Sequence, residues 1–310
     1  MGHKTNQDLV RKSSINTGSI SDGLLKPSQA KKFLMQVMDK TSLGQAVRHE
    51  MVSSQTGELD KLGIGRRLLR KKTEGTDDGY RAKVKTSKIE YSVTPVRLPW
   101  EITEEALRQN IEGQSLEQKI EYLMTTQMGV DNEDLWLNGD TSVSADDEDH
   151  DFLYINDGWL KIMNNGAHVY NANNADMSLD LFYDAVRALP NKYNNGRLRW
   201  IMSPRRKQEW ELFLLNKVIN QGGAVPDSVY NSPVSIPVIE CGALSDDKIM
   251  LTDPLNLAIV NSYTVRIRKT DQGKEAIMQD KRFYVIHYDF DAVIEELDAC
   301  ALIKNLKAIA

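Results

Sequence analysis

Residues Ser115–Asp140 read SLEQKIEYLMTTQMGVDNEDLWLNGD, and the rest of the chain is arranged before and after them. Ser115 with Gln118 three residues on is a capping-box pair, which predicts a helix beginning at Leu116. Leu116, Ile120, Leu123, Met124, Met128 and Leu135 recur at helical spacing and predict one apolar stripe, with Lys119, Glu121 and Gln127 outside it. No proline interrupts the run. Asn138-Gly139 supplies residues that tolerate the left-handed conformation in which helices end. A helix over 116–138 would be about 34 Å long at about 1.5 Å per residue. That is long for a globular domain.

A chain of 310 residues can bury a substantial core as one large domain or two medium ones. Its net charge of −5 carries no global nucleic-acid signal, and no apolar stretch approaches the length of a bilayer span. The N-terminus lacks the apolar core of a signal peptide, and Asn6 stands where a myristoylation pattern needs Ser or Thr. Cys241 and Cys300 alone make neither a disulfide framework nor a zinc site, which fits a reducing cytoplasm.

Ahead of the long helix, Met1 to Lys26 is polar and aperiodic and reads as an arm. Pro27–Lys40 reads as a helix with Ala30, Phe33, Leu34, Val37 and Met38 on one face. Residues 45–100 read as a glycine-punctuated β-ribbon turning at Thr76-Asp77-Asp78-Gly79. Twelve Lys and Arg against seven Asp and Glu give this segment +5, leaving −10 for the remainder. Two strands bury too little to stand alone, so the ribbon needs a surface to lie on. Thr103 is expected to cap a short helix through Leu107.

Behind the long helix, Asp140–Asp151 is a polar loop holding Asp146-Asp147-Glu148-Asp149. Phe152–Asp253 reads as a compact α+β unit. Ser178 caps its first clear helix, strand 198–202 leads to Ser203-Pro204, and that pair opens a helix presenting Trp210, Phe213 and Leu214. Gln221–Ala224 is a glycine loop, 236–240 a strand, and Thr252-Asp253-Pro254 another helix start. The tail from Leu257 is strand-rich, with a turn at Asp271–Gly273 and strands at 283–290 and 299–306.

Catalytic signatures are absent from the sequence: it holds no Walker loop, dinucleotide fingerprint, G-x-S-x-G elbow or H-E-x-x-H pair. The acidic loop with His150 could hold a divalent cation, but it lacks calcium-loop spacing and reads as a solvated loop. Asp131, Glu133 and Asp134 sit where the helix dipole disfavours them, which is read either as pairing with cations of a neighbouring subunit or as a solvent-facing edge. Arg66, Arg67, Arg70, Lys71 and Lys72 form the densest basic cluster. With no interleaved aromatics, it reads as a flap on an acidic neighbour in preference to a nucleic-acid site. Trp159, Trp200 and Trp210 are assigned to the core, and Cys241 to a small buried residue.

The succession of basic ribbon, long capped helix ending in NEDLWLNGD, DGWLK (157–161), MSPRRKQEW (202–210), LTDPLNLAIV (251–260) and strand-rich tail resembles the major capsid proteins of tailed bacteriophages. Their α+β fold, the Hong Kong 97 type, is shared with encapsulins. The likeness covers 29–306; it implies an N-terminal arm (1–26), an N-terminal helix (27–44) and an extended β-hairpin loop (45–100). It further implies a peripheral domain (101–151) with the spine helix 116–138, an axial domain (152–256) with Gly222 and Gly223 near the capsomer centre, and return strands of the peripheral domain (257–310). It implies a structural, non-enzymatic shell protein forming hexamers and pentamers, with no cofactor, metal or membrane. Expected partners are scaffolding protein, portal, decoration protein and, non-specifically, the packaged dsDNA. Assembly is expected in the host bacterial cytoplasm and residence in the virion. Some relatives crosslink a ribbon lysine; Lys83, Lys85 and Lys88 are present, but no matching asparagine and glutamate are identified, and crosslinking is not expected. The alternatives are an encapsulin-type shell, a nucleic-acid-binding protein using 66–72, and a hydrolase using 146–151.

Overall fold

The computed structural model of the protein describes residues 23–24, 26–38, 41–63, 85–109, 115–219 and 232–309. The arm's first residues, the ribbon turn at 76–79 and the loop 221–224 lie outside them. The chain opens with Gly23–Leu24 (β1), Pro27–Met38 (α1), Ser42–Ala46 (α2), Arg48–Val52 (β2), Thr56–Gly63 (β3), Lys85–Ser92 (β4) and Thr94–Thr103 (β5). Glu104–Gln109 (α3) follows, capped as expected, with Ala106 N donating to Thr103 Oγ1 at 3.3 Å. Ser115–Asn138 (α4) is the long helix, a single uninterrupted element of 24 residues.

His150–Leu153 (α5) begins inside the stretch read as a polar loop, and Trp159–Gly166 (α6) is a helix ahead of the first one expected in the α+β unit. Then come His168–Asn171 (β6), Leu179–Ala188 (α7), Arg199–Met202 (β7), Pro204–Ile219 (α8), Val238–Glu240 (β8) and Ile249–Thr252 (β9). Ser203 caps α8 through Oγ, which accepts from Arg206 N at 3.2 Å. Ser178 stands before α7 but makes no side-chain cap bond. Leu257–Ser262 (β10), Arg266–Thr270 (β11), Lys274–Gln279 (α9), Lys281–Ile294 (β12) and Ala301–Lys304 (β13) complete the chain.

Two sheets form the body. The first runs β1-β11-β12-β10-β2, with β5 along the other side of β12. Every second residue of β12 from Tyr284 to Ile294 joins the core under α4, and Trp100 stacks on its cross-strand partner Tyr284 at 5.2 Å. Pro95 and Pro99 stand four apart on edge strand β5, so their missing N–H groups share one side and leave the edge a poor template for further pairing.

The second sheet runs β6-β13-β9-β7-β8 and is buried on both faces. Trp200, Met202, Ile249, Leu251, Ala301 and Ile303 meet α7 and α8, where Phe182 makes edge contacts to Trp200 and Trp210 at 4.9 and 5.0 Å. Ile201, Met250 and Leu302, one step out of phase, join the core that also holds Leu137 and Trp159. The last strand, β13, therefore belongs with 168–252 and not with the return strands of the first sheet. Its apolar residues on both faces require a sheet covered on both sides.

Beyond β9 the chain crosses between the sheets at 253–256 and again at 295–300. Thr252-Asp253-Pro254 opens only a 3₁₀ turn, Pro254–Asn256, because Leu257 must already enter β10. Asn256 ties the crossings together: its Nδ2 donates to Glu296 O (3.0 Å) and Thr252 Oγ1 (3.2 Å), and its Oδ1 accepts from Glu296 N (2.8 Å).

The ribbon is narrower than residues 45–100. β2 and β5 belong to the first sheet, and only β3 and β4 pair as a separate two-stranded element, in register from Thr56–Ser92 to Gly63–Lys85. Tyr91, Val93 and Val52 seat its base on Ala258, Val260 and Val293, the face of the first sheet turned away from α4.

Candidate assembly surfaces

The long helix α4 organises what is buried and what is presented. Its inner face follows Glu117, Glu121, Met124, Met128, Asn132 and Leu135, a mean spacing of about 3.6 residues. The expected stripe was one row out of phase at its centre: Glu121 is 5% exposed, while Leu123 is 63% exposed. The reason lies in the sheet beneath. β12 offers tyrosine hydroxyls as well as carbon, and Tyr288 OH donates to Asn132 Oδ1 at 2.5 Å while Tyr284 OH donates to Glu117 Oε1 at 2.7 Å. Leu123, Tyr122 and Val130 instead form an outward apolar strip.

The first turn of α4 is held by charge. Lys269 of β11 and Arg282 of β12 both pair with Glu117, and Arg282 also pairs with Glu104 of α3. Burial alone would raise the Glu117 carboxyl; the bonds from Lys269 and Tyr284 and the two cations outweigh it and hold the group below the ordinary glutamate value. At the other end, Gly139 closes the helix by close approach and not by a left-handed conformation. Gly158 N donates to Gly139 O at 2.7 Å, and a Cβ on Gly158 would sit 2.6 Å from Leu137 O. Asp140 beyond it accepts from Lys161 and Ser142, which holds its carboxyl down to about 2.

Of the residues singled out in the sequence, Arg66, Arg67, Arg70, Lys71, Lys72, Gly222 and Gly223 lie outside the described residues. Glu133 corrects the reading of the acidic trio. It is 5% exposed, and Cys241 Sγ donates to its Oε1 at 3.2 Å, so it faces the core and offers nothing to a neighbour's cation. Asp134 is partly buried and accepts from Asn138 Nδ2 at 2.6 Å; burial, with Asp131 and Asp149 nearby, raises its carboxyl. Asp131 accepts from Gln127 Nε2 at 2.6 Å on the more open side.

Several features escaped the sequence reading. Ile277 and Met278 of α9 are 72% and 77% exposed at the end of the β11–β12 hairpin. Arg206 is wholly buried, donating to Asp246 O and Lys307 O and pairing with Glu209; only its sequence neighbour Trp210, at i+4, hinted at an inward face. Among the described residues no group of three or more His, Cys, Asp or Glu is placed to hold a metal ion. Both cysteines are buried, which pushes the Cys300 thiol up to about 11 and raises that of Cys241 further, so neither is primed as a nucleophile.

No family model matches the chain. A Bacillus subtilis (strain 168) protein described as "Putative prophage capsid protein YqbE" is 28% identical over 320 residues, 97% of this chain and 99% of that one. Among solved structures, "Satellite phage P4 procapsid including size determination (Sid) protein" superposes with a TM-score of 0.66 at 16% identity, covering 97% of this chain and 96% of that chain. The capsid of an empty GTA particle gives 0.60 at 12% identity, with 97% and 98% covered. The holo-SrpI encapsulin complex of Synechococcus elongatus PCC 7942 gives 0.53 at 9% identity, with 99% and 96% covered. These likenesses each cover 96% or more of both chains, and the protein has the Hong Kong 97-type capsid fold.

Proposed function

We propose that this chain is the major shell subunit of a tailed-phage head, associating with copies of itself into hexamers and pentamers around packaged dsDNA. The observation that carries this is the end-to-end likeness to a phage procapsid subunit, joined to an equally complete sequence likeness to a protein described as a prophage capsid protein. The physical features agree. A ribbon whose base is seated on the first sheet and an outward apolar strip on α4 offer contact area beyond the body, as a subunit with several neighbours requires. Heterologous contacts of this kind close into rings. The role is structural, and no chemistry is assigned to it. Scaffolding, portal and decoration proteins are the further partners this reading calls for, with assembly in a bacterial cytoplasm.

The encapsulin reading keeps the same fold but has the weaker support, with a TM-score of 0.53 at 9% identity. Electron microscopy of the purified full-length chain, alone and with its genomic neighbours, tests both. Rings or closed shells that take up dsDNA through a portal support the phage head. Shells that assemble without a portal and enclose an enzyme support the compartment. A chain that stays monomeric under every condition overturns both.

A further inference from the structure

Among the described residues, the ribbon base covers only part of the face of the first sheet turned away from α4. The ribbon base sits over Val293 and Val260, and Ser92 N donates to Asp291 Oδ2 at 2.8 Å. Beyond Asp291 the alternate residues of β12, from Asp289 back to Lys281, lie on the same face because strand side chains alternate. Register places Arg266 and Arg97 on either side of His287, and Arg268 and Pro99 on either side of Val285. Cross-strand neighbours in such rows stand within reach of one another.

Beyond Asp291, two further carboxylates share this face. Glu101 pairs with Lys281 at 2.6 Å, and Asp289 lies near Arg266 and His287. Exposed Arg97 and Arg268 have no carboxylate partner among the described residues. The counterpart lies in the same chain. Asp146, Asp147, Glu148 and Asp149 are all exposed and make no ion pair among the described residues. Their loop is shaped in advance: Asp140 N donates to Leu153 O (2.8 Å), His150 N to Asp147 O (3.2 Å), and Lys161 pairs with Asp140 and Asp157. Within one subunit the loop and the arginines make no ion pair with each other among the described residues: the loop follows the C-terminal end of α4, and the arginines lie on the face of the sheet turned away from that helix.

We propose that the acidic run 146–149 of one copy docks on the Arg97–Arg266–Arg268 face of a second copy. The contact joins two different patches of one chain, so it repeats head to tail, as the subunits of a ring require. The loop backbone is held before contact, which lowers the ordering cost of docking. The choice of a second copy over nucleic acid rests on complementarity within a single chain: −4 on an exposed, folded loop against a face with two unpaired arginines. The inference rests on the shell reading above.

The test is a charge swap in the full-length chain, scored by the yield of rings or shells. Arg97→Glu with Arg268→Glu, and separately Asp146→Lys with Asp147→Lys, should each lower assembly by about tenfold or more, since like charges are brought together. Combining the four should restore it. Unchanged assembly in either pair, or no restoration in the combination, overturns the proposal. Loss of dsDNA retention by the arginine pair alone, with assembly intact, assigns the face to nucleic acid and also overturns it. A second measurement keeps the residue charges near native: Arg268→Cys with Glu148→Cys should give a ladder of disulfide-linked subunits on oxidation, the two native thiols being buried. Only monomers, from a preparation that assembles, refute the contact. If the unsubstituted chain forms no rings or shells, the shell reading falls first and the docking with it.

Discussion

Asn256→Ala probes the junction between the two sheets. The side chain is buried, and substitution removes its bonds to Glu296 O, Thr252 Oγ1 and Glu296 N at 3.0, 3.2 and 2.8 Å. Each such bond is worth about 1 kcal/mol net, and three are lost. Glu295 N keeps its bond to Asn256 O, because that acceptor is backbone. The loss should therefore total about 3 kcal/mol, which at about 1.4 kcal/mol per factor of ten is roughly a hundredfold in the opening equilibrium of this segment. Native-state hydrogen exchange reads that number directly at the Glu296 amide. Protection there should fall by roughly a hundredfold, while amides of β7 and β9 in the second sheet change much less. A fall of less than about fivefold would refute the reasoning, because it would mean that the crossings are held by the strands alone and not by Asn256.

Leu123→Asp should leave the fold intact, with a stability change within about 0.5 kcal/mol by urea denaturation, because the residue faces outward; a protein that no longer folds would put Leu123 back inside. Phe182→Ala, between Trp200 and Trp210, should cost about 3–5 kcal/mol in the same assay. The Glu117 carboxyl is held below its ordinary value, so its contribution is complete above about pH 4.3 and is lost as pH falls through the depressed value. Glu117→Gln should flatten that acid limb of the stability profile. Asp134 is the opposite case: burial raises it, so ionisation costs stability at neutral pH. Asp134→Asn should raise the melting temperature at pH 7 and have no effect below about pH 3.9, where the aspartate is already protonated.

The helices α1, α4 and α8 were legible because their apolar residues recur with one period and their ends carry Pro, Ser or Asn-Gly. Trp159, Trp200 and Trp210 were legible as core residues for the same reason. What period cannot supply is phase when neighbouring rows both hold apolar side chains. Leu123 and Met124 are adjacent, and only the tyrosines of β12 decide that the row through Glu121 and Asn132 turns inward. The burial of Glu133 was invisible for the same reason, since its partner Cys241 lies more than a hundred residues away. The placement of β13 was equally out of reach: an apolar tetrapeptide tells that both faces are covered, but not by which sheet's neighbours. The capsid-type fold itself was legible only in the succession of elements, since no single motif in the chain carries it. The arginine face needed register: Arg97 and Arg266 are far apart in sequence and meet only across His287.

Strand β12 pairs with β11 and β5 along its first part and with β10 at its end. A residue gained or lost inside it would turn Tyr284, Tyr288 and Phe290 to the wrong face while unsettling three neighbours at once. The turn before it has the opposite character. Gly273 adopts φ +115° with open space where a Cβ would lie, and Asp271, Gln272 and Gly273 are all exposed. Length added there lengthens a loop and shifts no register, at a closure cost that grows only slowly with loop size. For anyone wishing to graft a foreign epitope or an affinity tag onto this subunit, the bond between Gln272 and Gly273 is the point of insertion, and β12 is the segment to leave untouched.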